Sequence, residues 1–467
     1  MDKKIIKQLA EIVGVEHVSD DPIELMVHSR DASPIFGEIP SVVIRPGNTS
    51  EVSAILKFAN ENKICVLPRA AGSVTWGASV PNKKGLMVIQ MSRMNRVLDV
   101  DEDAMVATVE AGCTWSRLER TINPRGWKVA IMPHGAGMIA GVGANVALNG
   151  YSMASGGNGM QGDHVTGLEV VLPTGSVVRT GSWAMKGCKP FNSKIGSPGE
   201  ITRLFLRSGN IYGVITKVAL RIYAIPPAKD YLMHSFKSIS ALVRAAYKIQ
   251  KYELSSGFQM ITKEIVGTTG WPIPIENMIW GSVEGCSPGV VDEKMKMWRQ
   301  IVESEGGTEV DQTVARIFGA ELEDNRIHRY TWANEAYFPG GGRFQILGSV
   351  PINRIEEFLE ITYGIAIKHG LHCFGLCQFE RNSAHMFTVM PYYEKDPEQR
   401  QKTLDVGTEA IKAIADAGIC LSVLDGVYSP SYDYLDPQTF KLTKSIQKTL
   451  DPNNIMQVPW EIGGKTR

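Results

Sequence analysis

The chain has 467 residues, 49 basic and 49 acidic side chains, and a formal net charge of zero. At about 150 residues per domain, that length predicts two large domains or three smaller ones. Hydrophobic content of 43% and charged content of 21% exclude a largely disordered chain, and the lack of a basic surplus speaks against a nucleic-acid partner. No run of about 18 apolar residues occurs and the first residues carry no signal-peptide core, so no membrane span is expected and the chain is placed in the cytoplasm. The seven cysteines are odd in number and have no finger-like spacing. They fit free thiols in a reducing compartment and no bound metal.

Residues 1–30 read as helix and then extended chain. Residues 41–46 form a short β-branched run closed by Pro46, a strand. Asn48 and Glu51 offer a helix cap, and Val52, Ile55, Leu56 and Ala59 follow at helical spacing. A second strand at 64–68 completes a βαβ unit. Next comes a loop of small residues, 68–77. Strands are predicted at 86–90, 96–100 and 105–109, and a helix over 115–122. Residues 168–172 and 177–180 read as a hairpin, 212–223 as a strand, and Ile225, Pro226 and Pro227 as a domain boundary. Helices at 238–252, 355–369 and 396–418 with a strand at 386–390 predict an α+β arrangement for the second half.

Glycine is the compositional outlier. There are 46, about 10% against an ordinary 7% or so, and ten fall between Gly135 and Gly167. Such density suits a backbone lying close to a ligand, or several tight turns. The stretch 133–172 is therefore expected to wrap a long polar ligand such as a pyrophosphate. Gly157 to Gly162 spells G-x-G-x-x-G, but no strand precedes it and a strand follows it, so the dinucleotide fingerprint fails. In the loop after the βαβ unit, Arg69, Ala70, Ala71, Gly72, Ser73, Val74, Thr75 and Trp76 can form a nest of N–H groups for an anionic oxygen; an ordinary tight loop is the alternative. Among the nine histidines, His134 and His164 flank the glycines, while His369 and His372 lack a third ligand. Residues 285–289 spell G-x-S-x-G, but Pro288 has no N–H for an oxyanion hole, so a turn is expected. Residues 450–456 read as a helix stop and turn.

In this order the pieces resemble the vanillyl-alcohol oxidase and p-cresol methylhydroxylase family of FAD flavoproteins. The likeness is carried by the βαβ start, the small-residue loop, residues 91–100, Val109-Glu-Ala-Gly112, the run from Gly162-Asp-His to Thr180-Gly181, residues 208–216 and Leu450-Asp-Pro-Asn-Asn-Ile455. It implies a PCMH-type FAD-binding domain of two α+β subdomains over 1–227, an α+β cap over 228–425, and a segment 426–467 returning to the first domain. It also implies a pyrophosphate on residues 69–76, with Gly137, Ile139, Ala140, Gly141, Gly143, Ala144 and Asn145 flanking the flavin, and Gly213, Val214 and Ile215 on the adenine side. In the cap, residues 331–344 and 385–390 resemble the vanillyl-alcohol oxidase branch.

Several positions depart from the family pattern. Arg343 stands where that branch carries a flavin-bonded histidine, and Ser73 where other relatives do, so dissociable FAD is expected. Trp76 replaces a phenolate-binding tyrosine, and the family's Tyr-Arg pair has no equivalent around Leu421 and Ser422. The histidine pair and Gly-Glu-His-Gly stretch of the metal-using 2-hydroxy-acid dehydrogenases are missing, with Leu424-Asp-Gly-Val-Tyr428 where the second is expected.

The expected function is oxidation of a small alcohol or aromatic substrate, phenols included, by hydride transfer to flavin. The alternatives are a 2-hydroxy-acid dehydrogenase of the lactate or glycolate type, the flavin subunit of a larger electron-transfer complex with a protein acceptor, and a binding protein with a decayed flavin site. A homo-oligomer is expected. Candidate catalytic residues are Arg343, for a substrate carboxylate or phenolate or for charge on the flavin, and His385 and Tyr392, with Tyr393 and Tyr428 as further phenols. Trp76 and Trp332 are expected to pack rather than bind.

Overall fold

A computed structural model describes residues 1–133, 137–269, 276–320, 340–424, 426–459, 461–462 and 465–466. His134, Gly135, Trp332 and Asp425, and the 331–339 part of the cap stretch, lie outside them.

Three sheets carry the architecture. The first runs Val18–Ser19, Val42–Ile44, Met87–Gln90, Val66–Arg69. Its last three strands are parallel, as the βαβ reading requires. The crossover helix Thr49–Asn62 starts where Asn48 Oδ1 accepts the Glu51 N–H at 3.0 Å and Glu51 Oε2 accepts the Gly47 N–H at 2.7 Å. Its buried Val52, Ile55, Leu56 and Ala59 face the sheet. The second sheet is antiparallel, in the order Val97–Asp101, Val106–Glu110, Val214–Arg221, Val165–Val171, Val177–Arg179. Both sheets share one apolar core, to which Ile455, Met456 and Val458 return from the carboxy-terminal end. After the helix Pro437–Leu450, buried Asp451 accepts the Ile455 and Met456 N–H groups. The chain then bridges to Val66, whose N–H reaches Ile455 O at 2.7 Å.

The third sheet has eight antiparallel strands, ordered Thr308–Glu309, Ala228–Phe236, Asn277–Gly285, Gly257–Ile261, Phe374–Glu380, Ser383–Tyr393, Gly341–Pro351, Cys420–Leu421. Sequence pattern identifies only the stretch 386–390. Strands such as Gly257–Ile261 are buried on both faces and so lack polar–apolar alternation. One face packs Phe258, Met260, Phe344, Ile346, Cys377 and Met386 against Ile239–Lys251, Pro288–Ser304, Ile355–Lys368 and Pro397–Asp416. Pro288 opens the second of these helices, so the G-x-S-x-G stretch runs into a helix start. The other face, carrying Gln259, Leu376, Gln378, Phe387, Gln345 and Arg343, turns toward the first two sheets. Among the described residues no helix is long and apolar enough to cross a membrane.

Candidate functional site

Between that face and the first two sheets lies an elongated cavity, with about 1750 Å³ of empty space counted out to its open mouth. Its two ends are built differently.

One end is the loop after the strand Val66–Arg69. All eight residues from 69 to 76 line the cavity. None of the backbone N–H groups of residues 71–75 donates to another described group, which leaves them available to an anion. The loop is shaped by Arg69, which is buried and donates to His28 O at 3.2 Å and Ser79 O at 2.9 Å. Burial lowers its pKa, and the neighbouring Asp31 charge raises it. Its head is thus spent on the carbonyls of two segments that flank the loop. Gly72 sits at φ +69°, and a Cβ there would lie 2.1 Å from Arg69 Nη2. Only glycine combines that backbone with that approach. Thr75 Oγ1 donates to Gln345 Oε1 at 2.7 Å, tying the loop to the third sheet. Arg343, two residues before Gln345 on the same strand face, lines the cavity at this end.

Ala140, Gly141, Ala144 and Asn145 form the facing wall. A Cβ on Gly141 would come within 3.0 Å of Ala70, so the missing side chain keeps the gap between loop and helix Val142–Ala147 open. Asn145 Oδ1 is buried in this wall without a partner. Gly143 faces away, where a Cβ would meet Ala111 at 2.5 Å. Gly137 is buried and accepts the Ser116 N–H through its carbonyl, and Ile139 is exposed; neither lines the cavity. Gly213, Val214 and Ile215 belong to the second sheet, paired toward Val171 and Val170. Arg207, Gly209 and Asn210, a few residues earlier in the chain, line the cavity instead.

The glycine-rich stretch is therefore not one ligand wrapper. Its later glycines serve packing: a Cβ on Gly157 would strike Ser256 O at 2.9 Å, and one on Gly167 would meet Pro190 and Thr180 O at 3.1 Å. His164 is structural too, its ring nitrogens held by Tyr223 Oη at 2.7 Å and Asn158 O at 2.9 Å.

The other end is made of side chains. Gln259 and Gln378 are cross-strand neighbours, and Gln378 in turn opposes His385. Gln259 is 3% exposed and its Oε1 has no partner. His385 is also 3% exposed and does not line the cavity. Its Nε2 meets Glu380 Oε2 at 2.9 Å, and its ring stacks on Tyr151 with centroids 4.0 Å apart. Tyr151 stands in the wall in its place, next to Phe387 and Leu376. Burial raises the pKa of the Tyr151 phenol, with Arg207 pulling it partly back, so its proton stays on Oη at neutral pH. Sequence reading passed over Tyr151, Gln259, Gln378 and Arg207, which belong to no motif.

Tyr392 lies on the opposite strand face from Arg343, beside Gly342, and donates to Glu394 Oε2 at 3.1 Å. The two-residue period of the strand turns it toward the helices and away from the cavity. Burial, reinforced by the Glu394 charge, raises its pKa. Tyr393 is exposed, and Tyr428 donates to Gln345 O at 2.6 Å while accepting the Leu347 N–H, bracing the strand that carries Arg343. Among the described residues no group of three His, Cys, Asp or Glu side chains is placed to hold a metal ion.

The family model for an FAD-binding domain matches residues 40–181, and that for the C-terminal domain of FAD-linked oxidases matches residues 225–457. The chain is 23% identical to D-lactate dehydrogenase of Anaerostipes hadrus over 94% of its own length and 93% of that protein. It is 29% identical to glycolate oxidase subunit GlcD of Bacillus subtilis (strain 168), where the match spans 53% of this chain and 50% of the relative. The crystal structure of p-cresol methylhydroxylase with substrate bound superposes with a TM-score of 0.86 at 18% identity, covering 97% of this chain and 95% of that one. The fold is thus the α+β PCMH-type fold. Free loop amides, the gap kept by Gly141 and the unpartnered Asn145 oxygen suit the cofactor that these domains bind. The chain belongs to the FAD-linked oxidases with a PCMH-type FAD-binding domain, and is an FAD-dependent oxidoreductase.

Proposed function

We propose that the chain oxidises a small alcohol bearing a carboxylate, of the 2-hydroxy-acid class, and that FAD is held without a covalent bond. The observation that carries this is the division of the cavity, with an amide-lined loop at one end and the polar wall of Tyr151, Arg207, Gln259, Gln378 and Ser422 at the other. The names of the D-lactate dehydrogenase and glycolate oxidase relatives support it. When bound, FAD would supply the two-electron acceptor, taking a hydride from the alcohol carbon while the hydroxyl proton leaves to solvent through the open mouth of the cavity.

The backbone of residues 71–75 would hold the pyrophosphate, and Ala140, Gly141, Ala144 and Asn145 would flank the cofactor. Arg343 belongs with them. Along the strand pairing with it, Pro391 lies six residues from His385, about 20 Å at 3.4 Å per residue. We assign Arg343 to anionic charge at the loop end rather than to the substrate. Tyr151 keeps its proton and donates a hydrogen bond to the substrate oxygen, orienting it, while Leu376 and Phe387 exclude water. His385 positions Tyr151 by stacking, with Glu380 fixing its ring.

The test is anaerobic mixing of the purified yellow protein with D-lactate, L-lactate, glycolate and 2-hydroxyglutarate, and separately with 4-alkylphenols. Bleaching of the flavin absorbance by a hydroxy acid is expected. Bleaching by phenols alone overturns the reading. Acid precipitation of the same protein is expected to leave the flavin in the supernatant.

A further inference from the structure

Arg207 is a non-glycine residue held at φ +56°, followed by Gly209 at +57° and Asn210 at +66°. A left-handed backbone costs a residue with a Cβ on the order of 1 kcal/mol or more, a steric cost that glycine avoids. The side chain must therefore be retained for what it does. From the second sheet's connecting segment, its guanidinium crosses to the third sheet. Nη2 donates to the carbonyl of Ser422, in a short contact, and to that of Leu421 at 3.3 Å. Leu421 pairs with Gly348 at the sheet edge, so this anchor is rigid. Two carbonyls occupy one guanidinium nitrogen, and the planar fork has further donors. Arg207 lies exposed along the cavity.

Ser422 supplies the second observation. Its carbonyl takes Arg207, while its hydroxyl, on a residue 4% exposed and in the cavity wall, has no partner among the described residues. A buried hydroxyl without a partner costs about 1–3 kcal/mol. A ligand oxygen accepting from it would remove that cost, and the same ligand would lie beside a guanidinium.

We propose that Arg207 and the Ser422 hydroxyl form a carboxylate-binding subsite in the cavity wall, which fixes the acid group of the substrate. The charge is delivered from the FAD-binding half onto the edge of the cap sheet, so the subsite exists only when the two halves are docked. This deepens the hydroxy-acid reading and rests on it for the identity of the physiological substrate, though not for the binding of a carboxylate.

The experiment uses the FAD-loaded full chain and oxalate, a non-reducing dicarboxylate, followed by the change in flavin absorbance and by calorimetry. The variants are Arg207→Gly, which suits the backbone, and Ser422→Ala. Arg207→Gly is expected to weaken oxalate about 10- to 100-fold, the size of a charge-assisted hydrogen bond, with flavin content and melting temperature unchanged. Ser422→Ala is expected to weaken it about 3- to 10-fold. Oxalate affinity within twofold of the parent in either variant, or no oxalate binding by the parent, overturns the proposal. If Arg207→Gly loses flavin, Ser422→Ala decides the question by the same criterion. Should oxalate bind through Arg207 while no hydroxy acid bleaches the flavin, the subsite stands and the proposed reaction falls.

Discussion

The loop end and the side-chain end of the cavity solve different problems with different materials. At residues 69–76 the ligand-facing groups are backbone amides, and the side chains, Arg69 above all, hold the backbone in shape. At the far end Gln259 and Gln378 stand on regular strands whose backbone hydrogen bonds are spent in the sheet. The groups that line the cavity there are the side chains of Gln259, Gln378, Tyr151, Arg207 and Ser422. A backbone nest accepts an anion common to many proteins, whereas a set of side chains can be exchanged one at a time to suit one substrate. Changes at the loop end should therefore abolish cofactor binding, and changes at the other end should alter turnover with the cofactor in place.

The largest expected effect tests the first half of that statement. Gly72→Val forces a side chain into the Arg69 guanidinium and onto a left-handed backbone. FAD affinity should fall about 100-fold, the equivalent of roughly 3 kcal/mol of strain and lost contacts, read as flavin retained through gel filtration. A variant that keeps its flavin would show that the loop is not the cofactor's anion site. Next comes Tyr151→Phe, which leaves the stack on His385 and removes the donor. It should lower kcat/KM about tenfold while FAD content and absorbance stay as in the parent. Loss of flavin instead would erase the distinction between the ends.

The smallest effect concerns stability rather than chemistry. His234 lies on the third sheet with both ring nitrogens buried and unpartnered among the described residues, and His28 beside the loop end makes a 2.9 Å contact from Nδ1 to Glu24 O. Burial lowers each pKa from 6.5 to about 4. The folded chain keeps both rings neutral while the unfolded chain takes up protons below about pH 6.5. Stability should therefore be level above that pH and fall as pH drops toward 4. His234→Phe, with the ring kept against Trp298, should make the loss at pH 5 smaller by roughly 1–2 kcal/mol, seen in urea melts at pH 5 and 7. An unchanged pH profile would mean that His234 is not the acid-sensitive group of the cap.

Much of this molecule was visible in the order of its residues. The βαβ start, the capped helix after Asn48, the hairpin around Gly175 and the small-residue loop depend on contacts between residues close in sequence, so local composition reports them. The family resemblance rested on these pieces, and the cofactor followed. Close backbone approach explains the glycines, but the reasons diverge: Gly72 and Gly141 make room beside the cavity, while Gly143 and Gly157 make room for Ala111 and Ser256. Composition cannot tell those uses apart.

The side-chain end of the cavity was decided only by tertiary structure. Gln259, Gln378 and Ser422 come from three separated strands or strand ends, and Tyr151 and Arg207 from another half of the chain. No spacing rule links residues that meet through sheet register and domain docking. The same register moved Tyr392 to the far face and set His385 behind Tyr151, because one step along a strand reverses the direction of a side chain. Sequence alone marked out a loop of small residues rich in backbone N–H groups, because that depends on neighbours in the chain. Which side chains line the cavity beside it depended on how two halves, each with its own core, lie against one another.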